Sequence, residues 1–241
     1  MYNLIDTHFH LDFYKNHNEI YKFYNDKKIY VLCVTNQPEI FESCISIYGE
    51  SKYVKFAIGY NPKLCGDTPF SECSFKKNLM KTNYVGEVGL DFKNTDLYNK
   101  KIQQKIFDFI AQNASEKNKL MSVHCNKAEE ELYNILKINK NKKVIIHWFS
   151  GQEEWAERLC NLGCYFSINM NMLKNMKTVD IIKNLPIERI LIESDGPFSK
   201  VNGRNYKPEY LPDIYYNLGE LLGIQSINKL IFDNFKALLL I

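Results

Sequence analysis

The chain has 241 residues, 45% hydrophobic and 24% charged, with a formal net charge of +3. That length and balance fit a soluble globular protein with a sizeable core, and the charge is too small to argue for nucleic-acid binding by itself. No apolar run is long enough to span a membrane, and the first residues lack the basic start and apolar stretch of a signal peptide. The seven cysteines are scattered and odd in number, which reads as reduced thiols in a cytoplasm rather than a disulfide framework.

In chain order, Tyr2, Leu4, Ile5 and Thr7 predict a buried first strand that stops near His10. Residues 17–28 carry Ile20, Phe23 and Tyr24 at helical spacing, and the β-branched run 29–35 reads as strand two. Residues 38–48 predict a helix with Pro38 near its start. Strand three follows at 53–59, then a Pro- and Gly-containing loop at 61–70 and a short helix at 75–81. Strand four spans 84–90. The longest helix, 97–118, has Ile102, Ile106, Phe109 and Ile110 on one stripe. Strand five covers 120–124, strand six 144–147, strand seven 164–168 and strand eight 189–193. Helices at 129–137, 153–162 and 179–185 separate them, and two more, at 212–222 and 227–240, close the chain. Eight strands alternating with helices predict a single-domain (β/α)8 barrel of parallel strands over 1–241, with extra C-terminal helices. An open doubly wound sheet is the alternative.

The chemistry-bearing residues fall at equivalent points of this alternation. Side chains two apart on a strand point the same way, so His8 and His10 can present two imidazoles to one point. Alone, such a pair is better explained by two histidines hydrogen-bonded at a strand end. Glu87 ends strand four, His124 strand five and His147 strand six, and Asp195 follows strand eight. In a parallel barrel these C-terminal ends share one face, where active sites of this architecture lie. Six such ligands exceed what one zinc ion takes from protein. They suit two divalent ions, Zn, Mg or Mn, bridged by a carboxylate. Two carboxylates against two dications leave positive charge over, which favours an anionic substrate such as a phosphate ester.

The stretches Asp6-Thr7-His8-Phe9-His10-Leu11-Asp12, Gly86-Glu87-Val88-Gly89-Leu90-Asp91, Val123-His124-Cys125, His147-Trp148-Phe149-Ser150-Gly151 and Glu193-Ser194-Asp195-Gly196-Pro197 together resemble the TatD family of metal-dependent deoxyribonucleases, within the amidohydrolase superfamily. The resemblance implies a barrel hydrolase acting on DNA phosphodiesters. It implies that His8, His10, Glu87 and Asp195 hold one metal, that Glu87, His124 and His147 hold the other, and that Asp195 orients or deprotonates the attacking water. Catalysis is thus assigned to Asp195 and Glu87.

The chain departs from the family pattern after strand three. Gly59-Tyr60-Asn61-Pro62-Lys63 stands where the family has two histidines near the substrate phosphate. Asn61 can donate a hydrogen bond there and Lys63 can supply charge. Asn126-Lys127 replaces the family's Arg-Asp. Gly203-Arg204-Asn205 resembles the family's basic loop, and Arg204 can grip a phosphate with two N–H groups. Residues 31–38 and 164–167 resemble one branch in particular, the QatD component of the Qat anti-phage defence system, which implies other Qat proteins as partners. Two other readings stay open: a hydrolase of another ester or amide, and a DNA-binding subunit with reduced catalysis.

Overall fold

The computed structural model describes residues 3–241, so Tyr2 lies outside the described residues. Eight parallel strands carry the fold. They are β1 (Ile5–Phe9), β2 (Tyr30–Val34), β3 (Val54–Ala57), β4 (Tyr84–Asp91), β5 (Leu120–Asn126), β6 (Val144–His147), β7 (Tyr165–Ile168) and β8 (Ile190–Ile192). Between them run α1 (His17–Asp26), α2 (Pro38–Tyr48), α3 (Glu72–Leu79), α4 (Leu97–Glu116), α5 (Glu129–Ile138), α6 (Glu153–Asn161), the short α7 (Met170–Leu173) and α8 (Met176–Asn184). A small hairpin of β9 (Lys200–Val201) and β10 (Arg204–Asn205) precedes α9 (Leu211–Leu222) and α10 (Ile227–Leu240).

The strands pair in sequence order as two parallel sets, β1-β2-β3 and β4-β5-β6-β7-β8. Two seams join the sets into a closed (β/α)8 barrel. At one, Ile58 bridges Val85, with Gly86 N donating to Ile58 O and Glu87 N to Thr35 O. At the other, Phe9 bridges Gly196 and Asp195 N donates to His8 O at 2.9 Å. Gly59 makes the first seam possible, because a Cβ there would lie 1.8 Å from Thr35 O. The strands are buried on both sides, as parallel strands between barrel interior and helix layer must be.

The helix boundaries follow local chemistry. Pro38 opens α2, where its missing N–H costs nothing. α3 begins earlier than the apolar spacing suggests, because the Ser71 side chain accepts from Ser74 N and caps it. The 61–70 loop contains a 3-10 turn at Pro62–Leu64 that the Asn61 side chain caps through Lys63 N. β5 runs past His124 to Asn126 instead of ending on it. The C-terminal helices hold the barrel's first and last strands. Tyr215 of α9 accepts from Ile5 N and donates to Ile5 O, and Asn234 of α10 donates to Ile187 O and Ile190 O. Each fully buried large apolar side chain, such as Phe9, Phe107 or Phe166, contributes about 1.5–3 kcal/mol. Exposed pairs such as Arg158–Glu154 contribute about 0–1 kcal/mol. Packing between barrel and helices therefore dominates the scaffold that positions the strand ends.

Candidate metal centre

All six expected ligands converge at the C-terminal mouth of the barrel. His8 and His10 project from one face of β1 and its end, with Nε2 atoms 3.2 Å apart. Across the second seam, Asp195 Oδ1 lies 3.7 Å from His8 Nε2 and 3.5 Å from His10 Nε2. Asp195 reaches this position with a left-handed φ of 47°, a conformation aspartate tolerates better than branched residues. On the other side, His124 Nδ1, His147 Nε2 and Glu87 Oε1 form a second triangle with sides of 3.1, 3.2 and 3.1 Å. Donors arranged tetrahedrally about 2.1 Å from a cation stand roughly 3.4 Å from one another. Both triangles have that size.

Glu87 lies between them. Its Oε1 faces His124 and His147, while its Oε2 is 3.5 Å from His10 Nε2. His8 stacks on His147, with ring centroids 3.9 Å apart and planes 10° apart, so the triangles share a wall. His8, Glu87 and His147 also form a compact donor group, each offering an atom within 4.8 Å of the others.

The donor set fits divalent cations. Facing Nε2 atoms can share only one proton, so four converging imidazoles are satisfied among themselves only poorly. Buried His10 Nδ1 and His147 Nδ1 have no hydrogen-bond partner among the described residues, Glu193 Oε2 lying 3.8 Å from the latter. Protonation states reflect the crowding. Burial and the neighbouring His147 and His10 push His8 well below the usual imidazole range. Burial pushes Glu87 up, but hydrogen bonds from His124 and His147 outweigh it and hold this carboxyl well below its usual range. A neutral imidazole and an ionised carboxylate are the forms that bind a cation, whereas burial of His10, His124 and His147 is outweighed by the carboxylates beside them, which push those three imidazoles up, so a cation would have to displace their protons.

Several positioning groups escaped the sequence reading. Asp91 Oδ2 accepts from His124 Nε2 at 2.9 Å, turning Nδ1 toward Glu87, and Asn126 also donates to it. Gln103 of α4 fixes the Asp91 backbone from behind, accepting from its N–H and donating to its carbonyl. Glu193 is fully buried behind His147, where its carboxylate accepts from Trp148 N, Asn169 Nδ2 and the Ser167 hydroxyl. Ser122 Oγ is 2.8 Å from His8 Nδ1. Asp91 and Glu193 had a signal: each lies an even number of residues from a ligand at the same strand end, Asp91 four from Glu87 and Glu193 two from Asp195.

The expected substrate-binding residues divide. Asn61 Nδ2 donates to Glu87 Oε2 at 2.7 Å, so this side chain engages the carboxylate between the triangles. Lys63 is largely exposed, with Nζ 3.8 Å from Asp91 Oδ2. Both line a cavity of about 510 Å³ above the ligands, together with Trp148 and Phe198. Arg204 is exposed on the β9–β10 hairpin and does not line that cavity.

The family model for TatD related DNase matches residues 5–240. The chain belongs to the TatD-related family. An uncharacterized metal-dependent hydrolase of Buchnera aphidicola is 31% identical over 236 residues, covering 90% of this chain and 88% of that protein. YabD of Bacillus subtilis, also described as an uncharacterized metal-dependent hydrolase, is 27% identical and covers 98% of both chains. A putative deoxyribonuclease TATDN1 homolog of Enterocytozoon bieneusi is 38% identical over 126 residues, or 52% of this chain and 44% of that protein. Among solved structures, YJJV, a TatD homolog from Escherichia coli, superposes with a TM-score of 0.86 at 22% identity, over 98% of this chain and 97% of that one. This last likeness concerns the fold.

Proposed function

We propose that this TatD-family protein is a divalent-metal-dependent deoxyribonuclease working as one domain over the whole chain. The observation that carries the reading is Glu87, which turns one carboxylate oxygen toward each of two donor triangles. His8, His10, Glu87 and Asp195 would hold one ion, and Glu87, His124 and His147 the other. Zn, Mn and Mg are all compatible with this mixture of imidazole and carboxylate. When bound, such ions acidify water and neutralise charge on phosphoryl oxygens.

The chain's own residues supply the rest. Asp195 lies at the cavity wall, where its carboxylate can take the proton of an attacking water. Asn61 steadies Glu87, Asp91 steadies His124 through a hydrogen bond, and Glu193 places negative charge 3.8 Å behind His147. Lys63 overlooks the cavity and supplies positive charge to a phosphate entering it. Arg204, on its outlying hairpin, would meet the strand beyond the scissile position. The resemblance of residues 31–38 and 164–167 to the QatD branch extends the reading to a cytoplasmic nuclease serving bacterial anti-phage defence beside other Qat proteins.

Metal-depleted protein should leave a short DNA oligonucleotide intact and should cleave it after re-addition of Mn, Mg or Zn. Asp195→Asn, which keeps the shape but cannot take a proton, should lower kcat by about 100-fold or more. Folded protein that cleaves an ester or amide substrate but no DNA with any of these ions would overturn the nuclease assignment.

A further inference from the structure

Two phenylalanines stand half-exposed at the mouth of the metal cavity, Phe13 at 49% and Phe198 at 50%. They touch each other, with ring centroids 5.0 Å apart at 69°, and both touch His10, at 5.5 and 5.2 Å. All three contacts are edge-to-face, so none of them lays a ring parallel on Phe198. Phe198 lines the cavity itself, and Phe13 lies behind it on the outer side of the rim. The Phe198 backbone is tied to the ligand loop, because its N–H donates to Asp195 O at 2.8 Å.

A lone exposed apolar side chain needs no explanation. Here two aromatic rings brace each other against a ligand imidazole, at the entrance to a cavity whose donors are almost wholly buried. Resting on the nuclease reading above, we infer that Phe198, buttressed by Phe13, is a stacking platform for the nucleobase of the nucleotide whose phosphate enters the cavity. Only the sugar separates base from phosphate, and Phe198 is one ring-contact away from His10. Phe198 lines the cavity of about 510 Å³ at its apolar edge, so a base on the nucleotide whose phosphate sits by His10 meets that ring. Stacking tolerates any base, since every base offers a π-face, so the platform positions a nucleotide without selecting a sequence.

The test uses oligonucleotides carrying one abasic tetrahydrofuran residue, stepped through the terminal positions at both ends. Wild-type protein should lose about 10-fold or more in kcat/KM when the abasic residue occupies one particular position. Phe198→Ala should lose a similar factor on intact DNA and show no further loss with the abasic residue at that position. Phe198→Trp should retain the wild-type response. Phe198→Leu, which keeps apolar bulk without a π-face, should behave like the alanine variant. Metal content and melting temperature, measured for each variant, separate this from misfolding. Equal cleavage of intact and all abasic substrates by wild type would overturn the platform and leave the nuclease standing, as would a leucine variant equal to wild type. No cleavage of any oligonucleotide by metal-loaded wild type would overturn both.

Discussion

Glu87 is the residue on which the two donor triangles depend, so its replacement has a different signature from that of any single imidazole. Glu87→Gln keeps the shape but removes the charge facing both sides. It should reduce the bound divalent ions from about two per chain to less than one, measured by elemental analysis after dialysis. His147→Ala should cost about one ion. Unchanged metal content in Glu87→Gln would show that the carboxylate bridges nothing. Asn61→Ala removes the amide that holds Glu87 Oε2, together with the cap on Lys63 N, and groups that orient ligands commonly account for about 10–100-fold in metal affinity. A titration calorimetry experiment should find a loss of that size, with the fold intact. The convergence of the six candidate side chains was legible in the sequence, because the two-residue period of a strand and the shared face of a parallel barrel both point to it. The Asn61 contact was not, since it spans 26 residues and crosses a seam between strands. An asparagine in a histidine's usual place suggests a substrate contact until the carboxylate beside it is seen.

At the level of elements, β4 carries the most constraint. Glu87, Gly89 and Asp91 share one face, and the middle position must be empty. Gly89 has a φ of +136°, and a Cβ there would come within 2.1 Å of His124 O. Gly89→Ala should therefore destabilise the protein by about 3 kcal/mol or more, from backbone strain added to the clash. It should also displace His124 from its triangle. Denaturant unfolding monitored by circular dichroism gives the first effect and metal titration the second. An alanine variant with wild-type stability would mean that β4 and β5 separate more easily than their pairing suggests. The eight strands and the long helices were readable because each is a β-branched or apolar run, or an amphipathic stripe, long enough to show its period. α7 and the β9–β10 hairpin were not, being four and two residues per element. Such pieces are held by their surroundings, as when Asn169 caps α7 through Asn171 N and Met172 N.

For the whole molecule, ion binding and folding are coupled, because the donors come from strands distributed around the barrel. An ion that binds only the folded state at 1,000 times its dissociation constant adds about 4 kcal/mol. In a chain of this size that corresponds to a rise in Tm of about 10 °C. Scanning calorimetry with and without chelator should show a shift of that order. A Tm indifferent to chelator would argue against tight binding. The thiols report on the same packing. Burial pushes Cys44 and Cys164 up to about 12, and Cys160 up to about 11, whereas Cys73 is exposed. At pH 8 the thiolate is the reactive form, so Cys73 should label quickly and these three only after unfolding.

The seam between β1 and β8 has a consequence for synthesis in the cell. His8 and His10 leave the ribosome well before Asp195, the carboxylate that completes their triangle and whose N–H docks on His8 O. Glu87, His124 and His147 can meet before then, but the barrel closes only when the last strand arrives. A chain that stops short of Asp195 thus carries an incomplete donor set and an unclosed barrel.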